Sequence, residues 1–374
     1  MTQLISMAPV GQPLDDSLLD QPGAFLWWYA DMLDAQGNGV VLIWSYGLPF
    51  LPGLAQRARL NIAQRPSERP SLNVCIYKEH ELDFYMLQEY DPEDVHWEKV
   101  QGIETWRFGQ TTFTRQMRDG QLSLEAIFNA PIAGSAGKRL EGTFHLSGVM
   151  RADGALAQDI DPHHDWTPLM APCNATLDVR CDGVQYGFAG RGYHDRNSGT
   201  APLHELGFSH WVWGRVPLAD QDLIYYVLWP QDGDRTQPVC LGLLIDEDGT
   251  THHIEDLSIE LGATRLSLAG GLVWHKEMTL YQRGHVWAKV QVQSMLDEGP
   301  FYLRYMTTVE HEHQRAHGFG EFCRPNKVDS NLYRPLVNMR VGRQQDNSMW
   351  LPLFTGPKKG RLRRMFTQLL VARR

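Results

Sequence analysis

Cysteine is scarce in this sequence, and its spacing does not fit a metal or redox site. The 374 residues include five cysteines, which are scattered, odd in number and without a Cys-x-x-Cys pair. This usage favours reduced thiols over a disulfide framework and predicts a cytoplasmic protein. The N-terminal stretch is not basic and has no apolar segment of the signal-peptide kind, and no apolar run reaches the length of a membrane span. We therefore expect neither a signal peptide nor a transmembrane helix.

Several signatures of well-known chemistry are also absent. The sequence contains no Gly-x-Ser-x-Gly nucleophile elbow and no glycine-rich phosphate loop ahead of a helix. These absences count against serine-hydrolase, phosphoryl-transfer and hydride-transfer functions. The net charge of −9 counts against a nucleic-acid partner. Histidine-rich segments at 163–165 and 310–313 lack the separated ligands that a metal site requires. We expect no cofactor, no metal and no nucleic acid.

The sequence is dominated instead by short strand-like segments. Leu122, Leu124, Ala126 and Phe128 alternate with mostly polar residues, which is the period of a half-buried strand. Turn-forming residues recur at intervals of roughly 8–12 residues, the spacing typical of β-sandwiches and β-barrels. Helical periodicity is weak outside residues 361–374. These patterns predict an all-β protein with a short C-terminal helix.

The most informative segment covers residues 190–199. If it is a strand, its period of two places Tyr193 and Asp195 on one face, with His194 and Arg196 on the other. A carboxyl that faces an apolar cavity has a raised pKa, stays protonated near neutrality and can act as an acid. The alternative is a glycine-framed turn, because glycine, aspartate and asparagine are common turn residues.

Tryptophan and a basic tail are the other prominent features. Twelve tryptophans are present. We expect about three or four of them to line a site and the rest to pack in the core. From Lys358 to Arg374 there are seven basic residues and no acidic one, with apolar residues at roughly helical spacing. This pattern is typical of peripheral contact with the inner face of an anionic membrane, or of a terminal helix whose charges are simply solvated.

Segments spread over roughly residues 25–230 resemble the carotenoid 1,2-hydratase (hydroxyneurosporene synthase) family. That family is similar to a wider set of paired lipocalin-like proteins, which includes natural-product cyclases and pericyclases. The matching segments are residues 26–31, 45–52, 73–77, 106–109, 165–172, 192–199 with 202–203, and 210–215. The resemblance implies two lipocalin-like antiparallel β-barrel or calyx domains. We expect a lead-in at residues 1–24, domains at 25–205 and 206–355, and a basic tail helix at 356–374.

The resemblance also implies roles for individual residues. In that family an aspartate is thought to protonate a terminal isoprenoid double bond, with a tyrosine and a tryptophan close by. Asp195 and Tyr193 occupy the matching positions and are the expected catalytic pair. The expected substrate-binding residues are Trp28, Trp166, His194, Trp211 and Trp213.

Three functions remain open at this stage. The first is an acid-catalysed hydratase or cyclase that acts on a C=C bond of an isoprenoid or polyene, with Asp195 as the proton donor. The second is a cofactor-free pericyclase, whose cavity folds a polyene or polyketide without proton transfer. The third is a non-catalytic carrier of a lipid or polyene. All three functions require a hydrophobic small molecule as the partner. They all remain open because a fold of this class does not determine the chemistry.

Overall fold

Two curled β-sheets make up most of the protein. The computed structural model describes residues 4–135, 137–152, 164–231, 237–268, 270–343 and 349–371, with side chains through Phe366. Strands dominate these residues, and helices are few and short. The all-β, lipocalin-like architecture expected from the sequence is therefore confirmed.

The first sheet is antiparallel except for the parallel pair of β23 and β4, and its described part comprises 13 strands. Its strands are β1 (Phe25–Leu33), β2 (Gly39–Tyr46), β3 (Pro70–Lys78), β4 (Glu81–Glu89), β5 (Val95–Val100), β6 (Ile103–Phe108), β7 (Thr111–Arg118), β8 (Gln121–Pro131), β9 (Arg139–Val149), β10 (His164–Cys181) and β11 (Val184–Gly199), followed much later by β23 (Gly342–Arg343) and β24 (Gly356–Pro357). The spatial order is β23-β4-β3-β2-β1-β11-β10-β9-β8-β7-β6-β5, and β24 also pairs with β4.

The second sheet follows the first along the chain and has nine strands within the described residues. Its strands are β12 (Phe208–Pro217), β13 (Gln221–Pro230), β14 (Val239–Asp246), β15 (Thr251–His253), β16 (Leu257–Leu261), β19 (Glu277–Gln282), β20 (His285–Glu298), β21 (Tyr302–His311) and β22 (Gln314–Cys323). The spatial order is β15-β14-β13-β12-β22-β21-β20-β19-β16, while β17 (Thr264–Ser267) and β18 (Leu272–His275) form a separate ribbon.

The helices lie in the connections and at the C-terminal end. They are α1 (Leu54–Arg59), α2 (Arg334–Asn338) and α3 (Arg361–Val371), with 3-10 turns at Asp16–Asp20, Pro66–Glu68, Pro92–Asp94, Leu203–Glu205, Pro325–Lys327 and Leu351–Leu353. No helix in these parts of the chain is both long and apolar enough to cross a bilayer. The proposed domain limits at 24/25, 205/206 and 355/356 remain predictions, and β23 and β24 extend the first sheet from beyond the second.

Apolar side chains form one core inside each sheet and a third between the two sheets. The first core is built from first-sheet strands and the N-terminal lead-in, and includes Leu122, Leu124, Ala126 and Phe128, as their alternation predicts. The core inside the second sheet is built from residues 212–322. The third core takes side chains from both sheets and therefore lies between them.

The hairpin of β10 and β11 carries the segment at 190–199. Its turn is Asp182-Gly183, both with positive φ (50° and 75°), a combination favoured in two-residue β-hairpin loops. Residues 190–199 are a strand rather than the glycine-framed turn considered as the alternative. The last residues of β11 are buried on both faces, because His194 packs on Trp44 of the first core and Tyr193 packs in the core between the sheets.

The C-terminal helix α3 is held against the first sheet by its own basic residues. Buried Arg364 donates to the backbone oxygens of Thr355 and Pro357 and to the Asp182 carboxylate, at 3.0, 2.6 and 3.2 Å. Leu362 and Phe366 are exposed. The side chains of residues 367–371, and residues 372–374 entirely, lie outside the described part of the chain. Membrane contact by this tail stays a prediction.

Candidate active site

Three neighbouring strands bring the predicted catalytic residues together. Tyr29 of β1 pairs with Asp195 of β11, and Trp166 of β10 pairs with Asn197 of β11. Because side chains alternate along β11, Tyr193, Asp195 and Asn197 share the face that meets the second sheet. The placement of Tyr193 and Asp195 on one face, predicted from the period of two, is confirmed by a direct hydrogen bond between them.

The Asp195 carboxyl is buried and receives three hydrogen bonds. Its residue is 3% exposed. Oδ2 accepts from the Tyr193 hydroxyl at 2.8 Å and from Trp166 Nε1 at 2.9 Å, and Oδ1 accepts from Asn197 Nδ2 at 2.9 Å. No arginine, lysine or histidine of the described residues forms an ion pair with it. The carboxyl is thus held by neutral donors alone.

Burial dominates the proton affinity of Asp195. Loss of hydration raises its pKa to about 8, although the hydrogen bonds from Trp166 and Tyr193 act in the opposite direction. The charge of Glu321 adds to the increase. At neutral pH the carboxyl therefore holds its proton, and the three donors are placed to stabilise the anion that proton transfer would leave.

Asp195 faces a cavity between the two sheets, with a volume of about 120 Å³, several times the space that one water molecule needs. Among the described residues, four tryptophans line it, the number expected from the sequence: Trp27, Trp166, Trp211 and Trp213. The polar and charged lining residues are Asn73, Asp195, Asn197, Asp297, Arg304, Glu321 and Arg340. Most of the lining residues are thus aromatic or aliphatic, and the charged side chains are few.

The structure separates the predicted site residues into two groups. The cavity is lined by four of them: Asp195, Trp166, Trp211 and Trp213. Tyr193 belongs with these four, because its hydroxyl donates a hydrogen bond to the Asp195 carboxyl. These residues are distant in the sequence. Some lie on one face of the first sheet, and the others lie on the face of the second sheet opposite to it.

Trp28 and His194 do not line the cavity. Period-two alternation turns them to the opposite face, into the core of the first sheet. The Trp28 ring lies 4.8 Å from that of Trp106. The His194 ring stacks on Trp44 at 5.6 Å, with Nδ1 2.8 Å from the Tyr29 carbonyl oxygen. Burial and neighbouring Arg115 lower the pKa of His194 to about 3, so it packs as a neutral ring.

Sequence reasoning missed two polar neighbours of Asp195. Asn197 donates to the carboxyl and accepts from His164 Nε2 at 3.1 Å. Burial lowers the pKa of His164 to about 4, which keeps its ring neutral. The signal for Asn197 was available, since it continues the alternation of Tyr193 and Asp195. His164 was considered only as part of a metal-binding triplet.

No group of three or more metal-ligating side chains comes together anywhere in the described ranges. His311 is buried, with Nδ1 2.7 Å from the Trp287 carbonyl oxygen. His163 lies outside the described residues.

Relatives of this chain are carotenoid enzymes by name. The family model described as carotenoid hydratase CrtC matches residues 53–350. Hydroxyneurosporene dehydrogenase of Chlorobaculum tepidum is 27% identical over 365 residues, which cover 90% of this chain and 92% of that protein. Acyclic carotenoid 1,2-hydratase of Rubrivivax gelatinosus is 26% identical over 296 residues, which cover 76% of this chain and 65% of the hydratase.

The fold also has a match among solved structures. The crystal structure of CghA with Sch210972 superposes with a TM-score of 0.53 at 13% identity, covering 80% of this chain and 87% of that chain. At this identity the likeness concerns the architecture alone. The family match spans most of the chain, including the hairpin that carries Asp195. The chain belongs to the carotenoid hydratase (CrtC) family and is a hydratase-type enzyme.

Proposed function

We propose that this enzyme adds water to a C=C bond of an acyclic carotenoid or similar polyene, with Asp195 as the proton donor. The observation that carries the proposal is the position of the Asp195 carboxyl, which is buried, held by neutral donors and turned towards the cavity. Its pKa, which burial raises to about 8, supports a protonated acid. The names of the family and of its relatives support a polyene as the substrate.

The first step is protonation of the alkene. The Asp195 O–H bond breaks, its proton forms a C–H bond with one alkene carbon, and the other carbon becomes a tertiary carbocation. The carboxylate that remains is stabilised by donors on Tyr193, Trp166 and Asn197. Charge-assisted hydrogen bonds of this kind are stronger than neutral ones, so the site favours the charged products of proton transfer.

The second step is capture of the cation by water. Aromatic faces stabilise a nearby cation by roughly 0.5–2 kcal/mol each, which steers the cation without creating it. The Trp213 ring lies 5.5 Å from Tyr29 and 5.8 Å from Tyr193, so an aromatic wall lies beside the acid. A water oxygen forms the new C–O bond, and loss of one of its protons gives a tertiary alcohol.

Isotope labelling tests the proposal. Lycopene, an acyclic carotene, is incubated with the protein in water enriched in oxygen-18, and the products are analysed by mass spectrometry. We expect a labelled alcohol, and we expect Asp195→Asn to reduce its formation by about 10²–10⁴-fold. The matched control is Asp178→Asn, an exposed aspartate of the same hairpin, which should leave the rate unchanged.

The other outcomes separate the alternatives. Full alcohol formation by Asp195→Asn would refute the role of the acid. A ring product without label points to cyclisation if Asp195→Asn abolishes it, and to a pericyclase if that variant retains it. Recovery of bound, unchanged polyene would identify a carrier.

A further inference from the structure

A second carboxyl faces the cavity from the other sheet. Glu321 of β22 pairs across the strands with Trp213 of β12 and with Arg304 of β21. All three side chains line the same cavity as Asp195. Because cross-strand partners project to the same side of a sheet, the three form one polar group on the face opposite the acid.

Arg304 fixes the position of Glu321. Its Nη2 and Nε atoms lie 2.8 and 3.0 Å from Oε1 of the glutamate, and its Nη1 donates to the Tyr77 hydroxyl at 2.8 Å. The Arg304 and Glu321 side chains are 2% and 13% exposed. Because the Arg304 guanidinium is itself held by Tyr77, it restricts the movement of the Glu321 carboxylate. Arg304 binds Oε1 of the glutamate rather than Oε2.

Trp213 supplies an unused donor beside Glu321. The tryptophan is 5% exposed, and its Nε1 has no hydrogen-bond partner among the described residues. A buried N–H group without a partner costs free energy unless a water or ligand occupies the site. One water molecule could accept a hydrogen bond from Trp213 Nε1 and donate one to the Glu321 carboxylate.

Two of the cavity's carboxyls, those of Asp195 and Glu321, are close enough to influence each other. The charge of Glu321 contributes to the raised pKa of Asp195, so that one carboxyl helps to keep the other protonated. The other lining carboxylate, Asp297, is bound to Arg340 at 2.6 Å. Trp213 is the cross-strand partner of Glu321, and its ring also contacts Tyr193 beside Asp195. Glu321 is therefore the carboxylate best connected to the reacting end of the cavity.

We propose that Glu321 binds the attacking water through Oε2 and accepts its proton, with Trp213 orienting the water and Arg304 positioning the carboxylate. This inference rests on the proposed function, in which Asp195 generates the cation. As the water oxygen forms the C–O bond, its O–H bond breaks and the proton passes to Glu321. Transfer of that proton through solvent back to the Asp195 carboxylate restores both groups, so no other reactant is consumed.

The test separates cation formation from water capture. Wild type, Glu321→Gln and Asp195→Asn are each incubated with lycopene in heavy water. Deuterium in recovered or isomerised alkene reports protonation, and the alcohol reports capture. We expect Glu321→Gln to lower alcohol formation by about 10²-fold or more while alkene deuteration persists, because the cation then reverts by losing a proton. Asp195→Asn should lose both signals.

The matched control is Glu310→Gln. Glu310 is an exposed glutamate of the same β21–β22 hairpin, with Arg315 as its cross-strand partner at 3.9 Å, and its variant should behave as wild type. Trp213→Phe is a second variant that leaves the Arg304–Glu321 pair intact. It keeps an aromatic ring but removes the N–H donor, and we expect it to lower alcohol formation by about tenfold without loss of deuteration.

The outcomes distinguish this inference from the proposed function. Alcohol formation by Glu321→Gln close to that of wild type, or a parallel loss of alcohol and deuteration in that variant, would overturn the role of Glu321. If Glu321→Gln does not fold, wild-type alcohol formation by Trp213→Phe would overturn the water site instead. Retention of both signals by Asp195→Asn would overturn the role of the acid, whatever the result at Glu321.

Discussion

Arg215 of the second sheet lies 2.8 Å from the Asp31 carboxylate of the first, although 184 residues separate them in the chain. Both side chains are fully buried, and the same guanidinium binds Asp222 at 2.8 Å. It also donates to the backbone oxygens of Arg191 and Gly192, just before Tyr193. A single cation therefore joins the two sheets next to the strand that carries Asp195.

Replacing this cation should destabilise the protein strongly. Arg215→Met leaves two buried carboxyls without their partner, and we expect the free energy of unfolding to fall by about 3–5 kcal/mol. Urea denaturation measures the change. Arg283→Met is the control, because Arg283 and its partners Glu255 and Asp256 are mostly exposed, and its effect should stay within about 0.5 kcal/mol. Equal effects of the two substitutions would contradict the structural role of Arg215.

The raised pKa of Asp195 should be visible in stability as a function of pH. In the unfolded chain the carboxyl has an ordinary pKa, whereas in the folded protein it is about 8. Between about pH 4 and pH 8 the folded state binds more protons, so this group makes stability fall by ~1.4 kcal/mol per pH unit as the pH rises. Asp195→Asn lacks this effect. The stability of this variant relative to wild type should increase by about 2–3 kcal/mol from pH 5 to pH 7. If the difference between the two proteins in denaturation midpoint is the same at both pH values, the pKa of Asp195 is not raised.

Loss of the Tyr193 hydroxyl should change the pH–rate profile. Tyr193→Phe removes a donor that lowers the pKa of Asp195, so the decline of activity at alkaline pH should move to higher pH. We expect the rate itself to fall by about 10–100-fold, because a hydrogen bond to a charged group contributes about 1.5–3 kcal/mol. Tyr225→Phe removes a buried hydroxyl that has no partner in the described chain, and it should alter neither quantity. An unchanged alkaline limb in Tyr193→Phe would contradict the assigned contact.

Close packing of β11 against β1 should depend on Gly190. This residue does not have a positive φ, but a Cβ there would lie 2.3 Å from the Leu33 carbonyl oxygen. Gly190→Ala should therefore lower stability by about 1–3 kcal/mol, measured by thermal denaturation. Gly187→Ala, in the same strand but with open space at its Cβ, should have little effect. A neutral Gly190→Ala would show that the two strands separate easily.

Alternation along strands explains what the sequence revealed about this fold. It identified the buried face of β8 and the shared face of Tyr193 and Asp195, since both depend on local backbone geometry. Of the two neighbouring tryptophans of β1, it named Trp28 as a substrate-binding residue and not Trp27. Trp27 lines the cavity and Trp28 packs in the first core, because this strand is buried on both faces.

The Arg304–Glu321 pair illustrates what sequence reasoning could not reach. Seventeen residues separate the two, and only the register of the β21–β22 hairpin makes them partners. Nothing in the sequence states which face of the second sheet meets the first, because that arrangement is set by long-range packing. Asp195 could therefore be proposed as the acid from the sequence, whereas the residues facing it could not be named.

The tryptophans inside the first sheet have a consequence for how such enzymes diversify. The interior of this sheet contains three tryptophans in mutual contact, Trp28, Trp44 and Trp106. These rings stabilise the sheet without lining the cavity. The residues proposed to react lie instead between the two sheets, each of which has its own core. Under the proposed function, substitutions at this interface would change which polyene is accepted, or whether water reaches the cation, and would leave the interior of each sheet intact.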